Sequence, residues 1–154
     1  MKYLFFLEPY MEIFGKYEKI QGISETEIEN LEIEFKIILP DAYREYLFFF
    51  GKESGQLFTA YYTEIKYLLE TRSEAIAALN FDDRKTGPKA SINEKYFLFG
   101  QWQGYVFYFF DCRENNQDPP VYALMDNGTI ILHKPSFSIF IKDDGLNPVI
   151  ESLE

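Results

Sequence analysis

Residues 96–111 read YFLFGQWQGYVFYFFD, and this stretch decides the fold class. It contains two aromatic segments, Tyr96–Phe99 and Tyr105–Asp111, separated by Gly100–Gly104. Phe and Tyr favour β-strands, so the stretch predicts two strands joined by a short loop. The second segment is apolar at successive positions, so both of its faces are expected to be buried, as in the central strand of a sheet.

A β-hairpin is predicted after these strands. Val121–Met125 and Thr129–His133 flank the turn sequence Asp126-Asn127-Gly128. Asn-Gly between two apolar runs is a strong signal for a two-residue turn, and that turn places Tyr122 opposite His133. Alternation along the strands then assigns one face to the core. That face carries Val121, Ala123, Met125, Ile130 and Leu132, and the other face, which mixes polar and apolar residues, carries Tyr122, Leu124, Asp126, Thr129, Ile131 and His133.

Helices are predicted on both sides of this region. Ser24 and Glu27 form a capping box, which marks the start of a helix. Pro40 suits the first turn of a second helix, and Gly51 is a suitable stop for it. Other patterns predict a helix near residues 9–19, a strand at 56–62, a helix at 64–79 with a possible break at 72–73, an exposed loop at 82–93 and a helical segment from residue 136.

Length and composition predict one folded unit. The chain has 154 residues, of which 47% are hydrophobic and 19% aromatic, and this is enough for a full core. We therefore predict a single α+β domain over residues 1–154. Its sheet should be mainly antiparallel, with the N-terminal helices and a C-terminal helix packed on one face.

The charge balance restricts the class of partner. The net charge is -10, from 25 acidic and 15 basic residues. The phosphates of nucleic acid repel such a surface, whereas a basic protein is attracted to it. The alternative that the charge serves only solubility is equally open at this point.

The cellular compartment is indicated by the cysteine count and by the first residues. The one cysteine, Cys112, cannot form an internal disulfide, which suits a reducing cytosol. The apolar run Tyr3–Leu7 ends at Glu8, whereas a signal peptide needs roughly 7–15 apolar residues. No segment approaches the ~20 apolar residues of a membrane span. We expect a cytoplasmic protein without a membrane partner.

Several short motifs occur in an order that resembles the SUKH superfamily, over residues 23–142. This group includes bacterial immunity proteins and a fungal cell-wall regulator. The motifs are Ile28-Glu29-Asn30-Leu31-Glu32, Leu39-Pro40-Asp41-Ala42-Tyr43-Arg44-Glu45-Tyr46-Leu47, Tyr96-Phe97-Leu98-Phe99-Gly100, Tyr108-Phe109-Phe110-Asp111, Asp118-Pro119-Pro120-Val121-Tyr122 and Ser136-Phe137-Ser138-Ile139-Phe140-Ile141. The resemblance implies a non-enzymatic cytoplasmic domain that binds and neutralises a toxin, often a nuclease.

An enzymatic interpretation must begin from Cys112 and His133, which are the only residues of their kinds. Both end predicted strands, so a thiol and an imidazole could lie close together. A catalytic pair normally needs a third group that orients the base, and the sequence shows no such group. One Cys and one His also cannot supply the usual three or four zinc ligands. We therefore expect neither catalysis nor a cofactor.

Exposed aromatic and acidic residues are the candidates for partner binding. Trp102 in a loop is a candidate interface anchor, and the alternative is that it packs as a lid on the edge of the core. Tyr122 and His133 on the mixed sheet face could bind a partner or simply pack across strands. The acidic residues could face a basic partner or only solvent. The full set of candidates is Trp102, Asp111, Glu114, Tyr122, His133 and Glu29.

The function predicted from these observations is that of an immunity-type protein. It would bind a cognate bacterial toxin, a basic nuclease being the best match, and neutralise it by stoichiometric occlusion. Two alternatives stay open: a regulatory interaction module with a non-toxin partner, and a small cysteine hydrolase that uses Cys112.

Overall fold

The computed structural model describes residues 1–80 and 90–154, so most of the predicted loop at 82–93 lies outside the described residues. The elements in chain order are a 3-10 helix (Phe5–Tyr10), α1 (Met11–Phe14), β1 (Ile20–Gln21), α2 (Glu25–Phe35), α3 (Asp41–Phe50), β2 (Glu53–Ser54), a 3-10 turn (Ile65–Tyr67), α4 (Leu68–Leu79), β3 (Tyr96–Trp102), β4 (Val106–Asp111), β5 (Val121–Met125), β6 (Ile130–Lys134), α5 (Phe137–Phe140), a π-helical segment (Ile141–Leu146) and α6 (Asn147–Ser152). This arrangement confirms the predicted single α+β domain.

The main sheet is an antiparallel meander in the order β3-β4-β5-β6, and β1 and β2 form a separate small pair. Strand β4 is buried on both faces, as its sequence predicts. Tyr108 and Phe110 enter the main core on one side of the sheet. Phe107 and Phe109 enter a smaller cluster on the other side, where they meet Ala75 of α4.

Tyr43 of α3 lies at the centre of the main core and is fully buried. Its ring centroid lies 5.3 Å from those of Phe97 and Phe110, and 5.5 Å from that of Phe137 on α5. Helix α3 and helix α5 therefore pack on the same face of the sheet. Leu47 and Phe107 are also buried, while Leu31 of α2 and Met125, which was predicted for the core face of the hairpin, are partly buried.

The predicted helix starts are present. The Glu27 amide donates to Ser24 Oγ at 3.2 Å, and the Ser24 amide donates to Glu27 Oε1 at 3.3 Å, which completes the capping box of α2. Pro40 has an extended backbone and caps α3, so the helix begins one residue later than Pro40. Near residues 9–19 the α-helix is confined to Met11–Phe14.

The β5–β6 turn differs from the predicted two-residue turn. The Met125 amide donates to the Thr129 carbonyl at 2.8 Å, and the Gly128 amide donates to the Met125 carbonyl at 2.9 Å. The loop therefore has three residues, with Gly128 at a positive φ of 86°. Three-residue hairpin loops usually consist of a type I turn followed by a glycine in the left-handed conformation. Compared with a two-residue loop, such a loop shifts the strand register by one position.

This shift corrects the predicted pairing and the predicted core face. Tyr122 pairs with Leu132 and not with His133. A one-residue slip reverses the faces of a strand, so Leu132 is 60% exposed instead of lying in the core. Ile130, also predicted for the main core face, packs instead in the smaller cluster with Leu124.

The segment at residues 56–62 is a series of turns, so the predicted strand is wrong. Its apolar residues Leu57 and Phe58 are buried, which accounts for a strand-like pattern without a strand. Only Tyr62 forms an isolated bridge, to Gln101 at the edge of β3. The next helix, α4, is continuous through residues 72–73 and lies along that edge. Among the residues described, no helix is long and apolar enough to cross a membrane.

Candidate partner-binding site

A cleft of about 940 Å³ opens between α4 and the β3–β4 turn. We name it the α4 cleft and define it by Tyr62, Tyr67, Glu70, Glu74, Gln101 and Gly104. Backbone hydrogen bonds of 2.9 and 3.2 Å between Tyr62 and Gln101 fix one wall to the sheet. The ring centroids of Tyr62 and Tyr67 lie 5.0 Å apart, so two aromatic side chains line the opening.

Gln101 presents an oxygen to the α4 cleft. Its side chain is almost completely buried, at 3% exposure, and its Nε2 donates to Thr71 Oγ1 at 3.0 Å. A Cβ atom placed on Gly104 would lie 3.9 Å from Gln101 Oε1 and 3.8 Å from Glu74 Oε2. Both oxygens therefore face the same point at the β3–β4 turn. Within residues 1–80 and 90–154, no group donates a hydrogen bond to Gln101 Oε1.

Glu70 and Glu74 add negative charge to this cleft. They lie one turn apart on α4, where like charges destabilise a helix by about 0.2–0.5 kcal/mol. Neither carboxylate forms an ion pair with any residue in the described part of the chain. The ammonium of Lys66 lies beside the cleft, with its Nζ 5.1 Å from the ring centroid of Tyr67. The α4 cleft therefore combines free acceptors with aromatic walls.

Trp102 lies beside this cleft but does not line it. It follows Gln101 on β3, so strand alternation directs its side chain to the opposite face of the sheet. There it is 38% exposed, with its ring centroid 6.0 Å from that of Tyr105. Trp102 is thus accessible to a partner, from a different side than the cleft.

Asp111 and Glu114 lie at the other end of β4. The Arg113 guanidinium donates to Asp111 Oδ2 at 2.7 Å, and this hydrogen bond holds the pKa of Asp111 below its usual value. The same guanidinium lies 5.5 Å from the ring centroid of Tyr96. Glu114 is exposed in the adjoining loop. The charge of Asp111 is therefore compensated within the chain, while that of Glu114 faces solvent.

Tyr122 belongs to an aromatic row that crosses three strands. Its ring centroid lies 5.6 Å from that of Phe109, which in turn lies 4.5 Å from that of Tyr96. Tyr122 is partly buried and packs against the smaller cluster. Cross-strand packing and partner binding are both compatible with this placement.

His133 is held in a polar network under the π-helical segment. Its Nε2 lies 2.7 Å from Asp144 Oδ2, and the Tyr61 hydroxyl donates to the same oxygen at 3.0 Å. The Lys134 ammonium lies 3.8 Å from the other oxygen of Asp144, whose side chain is only 8% exposed. Burial is the main reason that the pKa of Tyr61 is raised. This network fixes the imidazole against Asp144, while a quarter of the His133 side chain stays exposed.

Glu29 is exposed on α2, where it shares one acidic stripe of the helix with Glu25 and Glu32, but these two neighbours are not free. Arg44 forms ion pairs with Glu25 and with Glu32, the latter at 2.6 Å. Glu32 also accepts a hydrogen bond from the Leu39 amide at 2.8 Å. Two of the three carboxylates of the stripe therefore stabilise the α2–α3 junction, which leaves Glu29 as the member without an ion pair among the residues described.

Cys112 does not have the features of a nucleophile. Burial raises the pKa of its thiol to about 12, so the thiolate is scarce at neutral pH. Among the residues described, the ring and hydrogen-bond contacts of His133 are with Tyr108, Phe140 and Asp144, and none of them is with Cys112. In the described part of the chain, no group of three His, Cys, Asp or Glu side chains is placed to hold a metal ion.

The residues predicted to bind a partner thus lie on several separate surfaces. The α4 cleft is not among the surfaces that the sequence predicts, because Glu70 and Glu74 look like ordinary polar positions of an amphipathic helix. The one available signal was their spacing, which places two glutamates on the same helical stripe. No pattern in the sequence indicates that Gln101 lines this cleft, because its placement depends on the fold that brings Thr71 and Tyr62 to it.

Comparison with known proteins identifies the family of the chain. The model of the SMI1 / KNR4 family (SUKH-1) matches residues 22–143, which agrees closely with the motifs described above. No curated protein matches the chain. The match covers most of the sequence and includes α2, α3, α4, the whole main sheet and α5. The chain therefore belongs to the SMI1 / KNR4 family, SUKH-1.

Proposed function

We propose that this protein is an immunity protein that binds a basic bacterial toxin and neutralises it by stoichiometric occlusion. A nuclease is the toxin class that best fits, because its substrate-binding surface must attract phosphates. The protein would act in the cytoplasm and would not catalyse a reaction. Membership of a family consistent with immunity-type or related protein-interaction roles supports the proposal.

The observation that carries the proposal is the unbalanced negative charge. The net charge is -10, and among the residues described Glu29, Glu70, Glu74 and Glu114 have no cationic partner. Complementary charge increases the rate of encounter with a basic protein, up to about 10⁸–10⁹ M⁻¹s⁻¹ at low salt. Screening weakens this attraction, because the Debye length falls from about 10 Å at 0.1 M salt to about 3 Å at 1 M.

Aromatic side chains would provide the affinity that holds the complex after encounter. Trp102 and Tyr122 remain the proposed anchors, since interface hot spots are enriched in Trp and Tyr. Asp111, Glu114, His133 and Glu29 remain proposed contacts at the rim. Replacing an anchor should raise the dissociation rate, whereas neutralising a rim acid should lower the association rate.

The test begins with capture of the partner from the native cell, followed by co-expression of the captured protein with and without this chain. A toxin partner should stop growth alone and lose its toxicity when co-expressed. Stopped-flow binding across a salt series should show association that slows with salt, while dissociation changes less. Trp102→Ala should raise the dissociation rate. Tyr17→Ala is the matched control, because Tyr17 is 73% exposed and belongs to no predicted site.

Three results would contradict this proposal. An association rate that does not change with salt would exclude electrostatic steering and leave the charge as a solubility feature. A captured partner that is not toxic would favour the alternative of a regulatory interaction module. The cysteine hydrolase alternative predicts that Cys112→Ser abolishes the biological effect, whereas occlusion predicts that it does not.

A further inference from the structure

We propose that the α4 cleft binds a short arginine-bearing segment of the basic partner, with one guanidinium held by Glu70, Glu74 and Gln101. This inference rests on the proposed function and assigns a surface and a chemistry to the contact. The cleft was not among the surfaces predicted from the sequence.

The acceptors of the cleft match a guanidinium. Glu70 and Glu74 supply carboxylate oxygens, and Gln101 supplies an amide oxygen fixed by its bond to Thr71. An arginine side chain has five N–H donors in a planar fork and no acceptor, so it can satisfy several such oxygens at once. The bound cation would also relieve the repulsion between two carboxylates one helical turn apart.

The aromatic walls and the volume point to a peptide segment. Guanidinium groups stack on the faces of aromatic rings, and Tyr62 and Tyr67 present two rings at the opening. The volume of about 940 Å³ lies at the upper end of the range for small-molecule sites, which is about 300–1,000 Å³. The cleft therefore has space for several residues of a chain in addition to the arginine.

One cation of the protein already lies at the rim. Lys66 Nζ is 5.1 Å from the ring centroid of Tyr67, so it occupies one face of that ring. A bound arginine must approach from the side of Glu70 and tolerate this like charge. Removing the charge of Lys66 should therefore strengthen binding, which is the opposite of the effect expected from the glutamates.

The test uses a defined probe, the peptide Ac-Gly-Arg-Gly-Arg-Gly-NH₂, and a control peptide in which citrulline replaces both arginines. In the ¹⁵N-labelled protein, the amide chemical shifts of residues in α4 and in the β3–β4 turn should change when the arginine peptide is added. They should not change when the citrulline peptide is added. Glu70→Gln/Glu74→Gln should weaken binding at least roughly tenfold, because charge-assisted hydrogen bonds are lost. Lys66→Ala should strengthen binding.

A charge-matched control separates the cleft from the overall charge. Glu12 and Glu151 are exposed on α1 and α6 and line no part of the cleft, so Glu12→Gln/Glu151→Gln removes the same two charges elsewhere. Equal weakening of peptide binding by both double variants would overturn the proposal. Chemical-shift changes that lie outside the cleft, or no chemical-shift change at millimolar peptide, would overturn it as well. Unchanged thermal unfolding of Glu70→Gln/Glu74→Gln excludes loss of the fold as the cause.

The captured partner then distinguishes this inference from the proposed function. If the partner is a basic toxin and Glu70→Gln/Glu74→Gln binds it with unchanged affinity, the inference is wrong and the proposed function stands. If the variant loses at least roughly tenfold in affinity while the Glu12/Glu151 control does not, the inference is supported. If the arginine peptide binds the cleft but the natural partner is neither basic nor toxic, the proposed function fails and cation binding by the cleft stands.

Discussion

Replacing Tyr43 with Phe is expected to stabilise the protein. The Tyr43 hydroxyl is buried, and no residue in the described part of the chain forms a hydrogen bond with it. An unsatisfied buried polar group costs about 1–3 kcal/mol, and Phe removes this cost. The ring contacts with Phe97, Phe110 and Phe137 do not involve the hydroxyl and would be retained. The free energy of unfolding should therefore rise by about 1–3 kcal/mol.

Tyr46 provides a matched control one helical turn away. Its hydroxyl lies 2.8 Å from Thr63 Oγ1, and both side chains are buried. Tyr46→Phe removes the same atom but also breaks this hydrogen bond and leaves Thr63 without its partner. The free energy of unfolding should fall by about 1–3 kcal/mol. The two substitutions therefore have the same chemistry and opposite expected signs.

Urea unfolding followed by circular dichroism measures both changes in the free energy of unfolding. An unchanged slope of this free energy against urea concentration would show that the unfolded states are comparable. For a domain of this size, each 1 kcal/mol should move Tm by about 2–4 °C. If Tyr43→Phe destabilises the protein as much as Tyr46→Phe does, the Tyr43 hydroxyl has a hydrogen-bond partner and the reasoning is refuted.

Three further predictions concern pH, packing and the thiol. Burial raises the pKa of Tyr43 and of Tyr46 above 10, so ionisation of these hydroxyls does not lower the stability of the protein below pH 10. Stability should fall as the pH rises further, because the two tyrosines ionise first in the unfolded chain, and Tm of Tyr43→Phe should fall less steeply than that of the unchanged protein. A Cβ on Gly22 would lie 1.6 Å from the Phe48 carbonyl oxygen, so Gly22→Ala should cost at least about 3 kcal/mol in urea unfolding. Gly15→Ala is its control, because the nearest atom there is 3.4 Å away and a side chain can accommodate it. Finally, Ellman's reagent at pH 8 should react with native Cys112 at least about a hundredfold more slowly than with the unfolded chain, and a fast native reaction would contradict its raised pKa.

Local signals in the sequence were sufficient for most of the fold. The capping box of α2 depends on atoms within four consecutive residues, so Ser24 and Glu27 predict it directly. The burial of β4 on both faces follows from its unbroken apolar sequence. The hairpin register was not predictable in the same way. Asp126-Asn127-Gly128 is compatible with loops of two and three residues, and the choice moves Leu132 from the core to the surface.

The candidate site was harder to predict, because its parts come from distant segments. Tyr62 reaches the sheet through turns that resemble a strand in sequence, and Gln101 is oriented by Thr71 of a helix. His133 was predicted to bind a partner or to pack across strands, but its polar partner Asp144 lies in a π-helical segment whose geometry no short pattern indicates. Residues that act through tertiary neighbours in this way remain hidden until the fold is known.

The order of the main sheet has a consequence for how the chain folds. Strands β3 to β6 follow one another in the sheet as they do in the sequence, so each strand pairs with one separated from it by a short loop. Closing short loops costs little entropy, and these hairpins can form early. Tyr43 must instead meet Phe97, Phe110 and Phe137, which follow it at great distance along the chain. We expect docking of α3 onto the finished meander to be the slow step, with closure by α5 completing the native state.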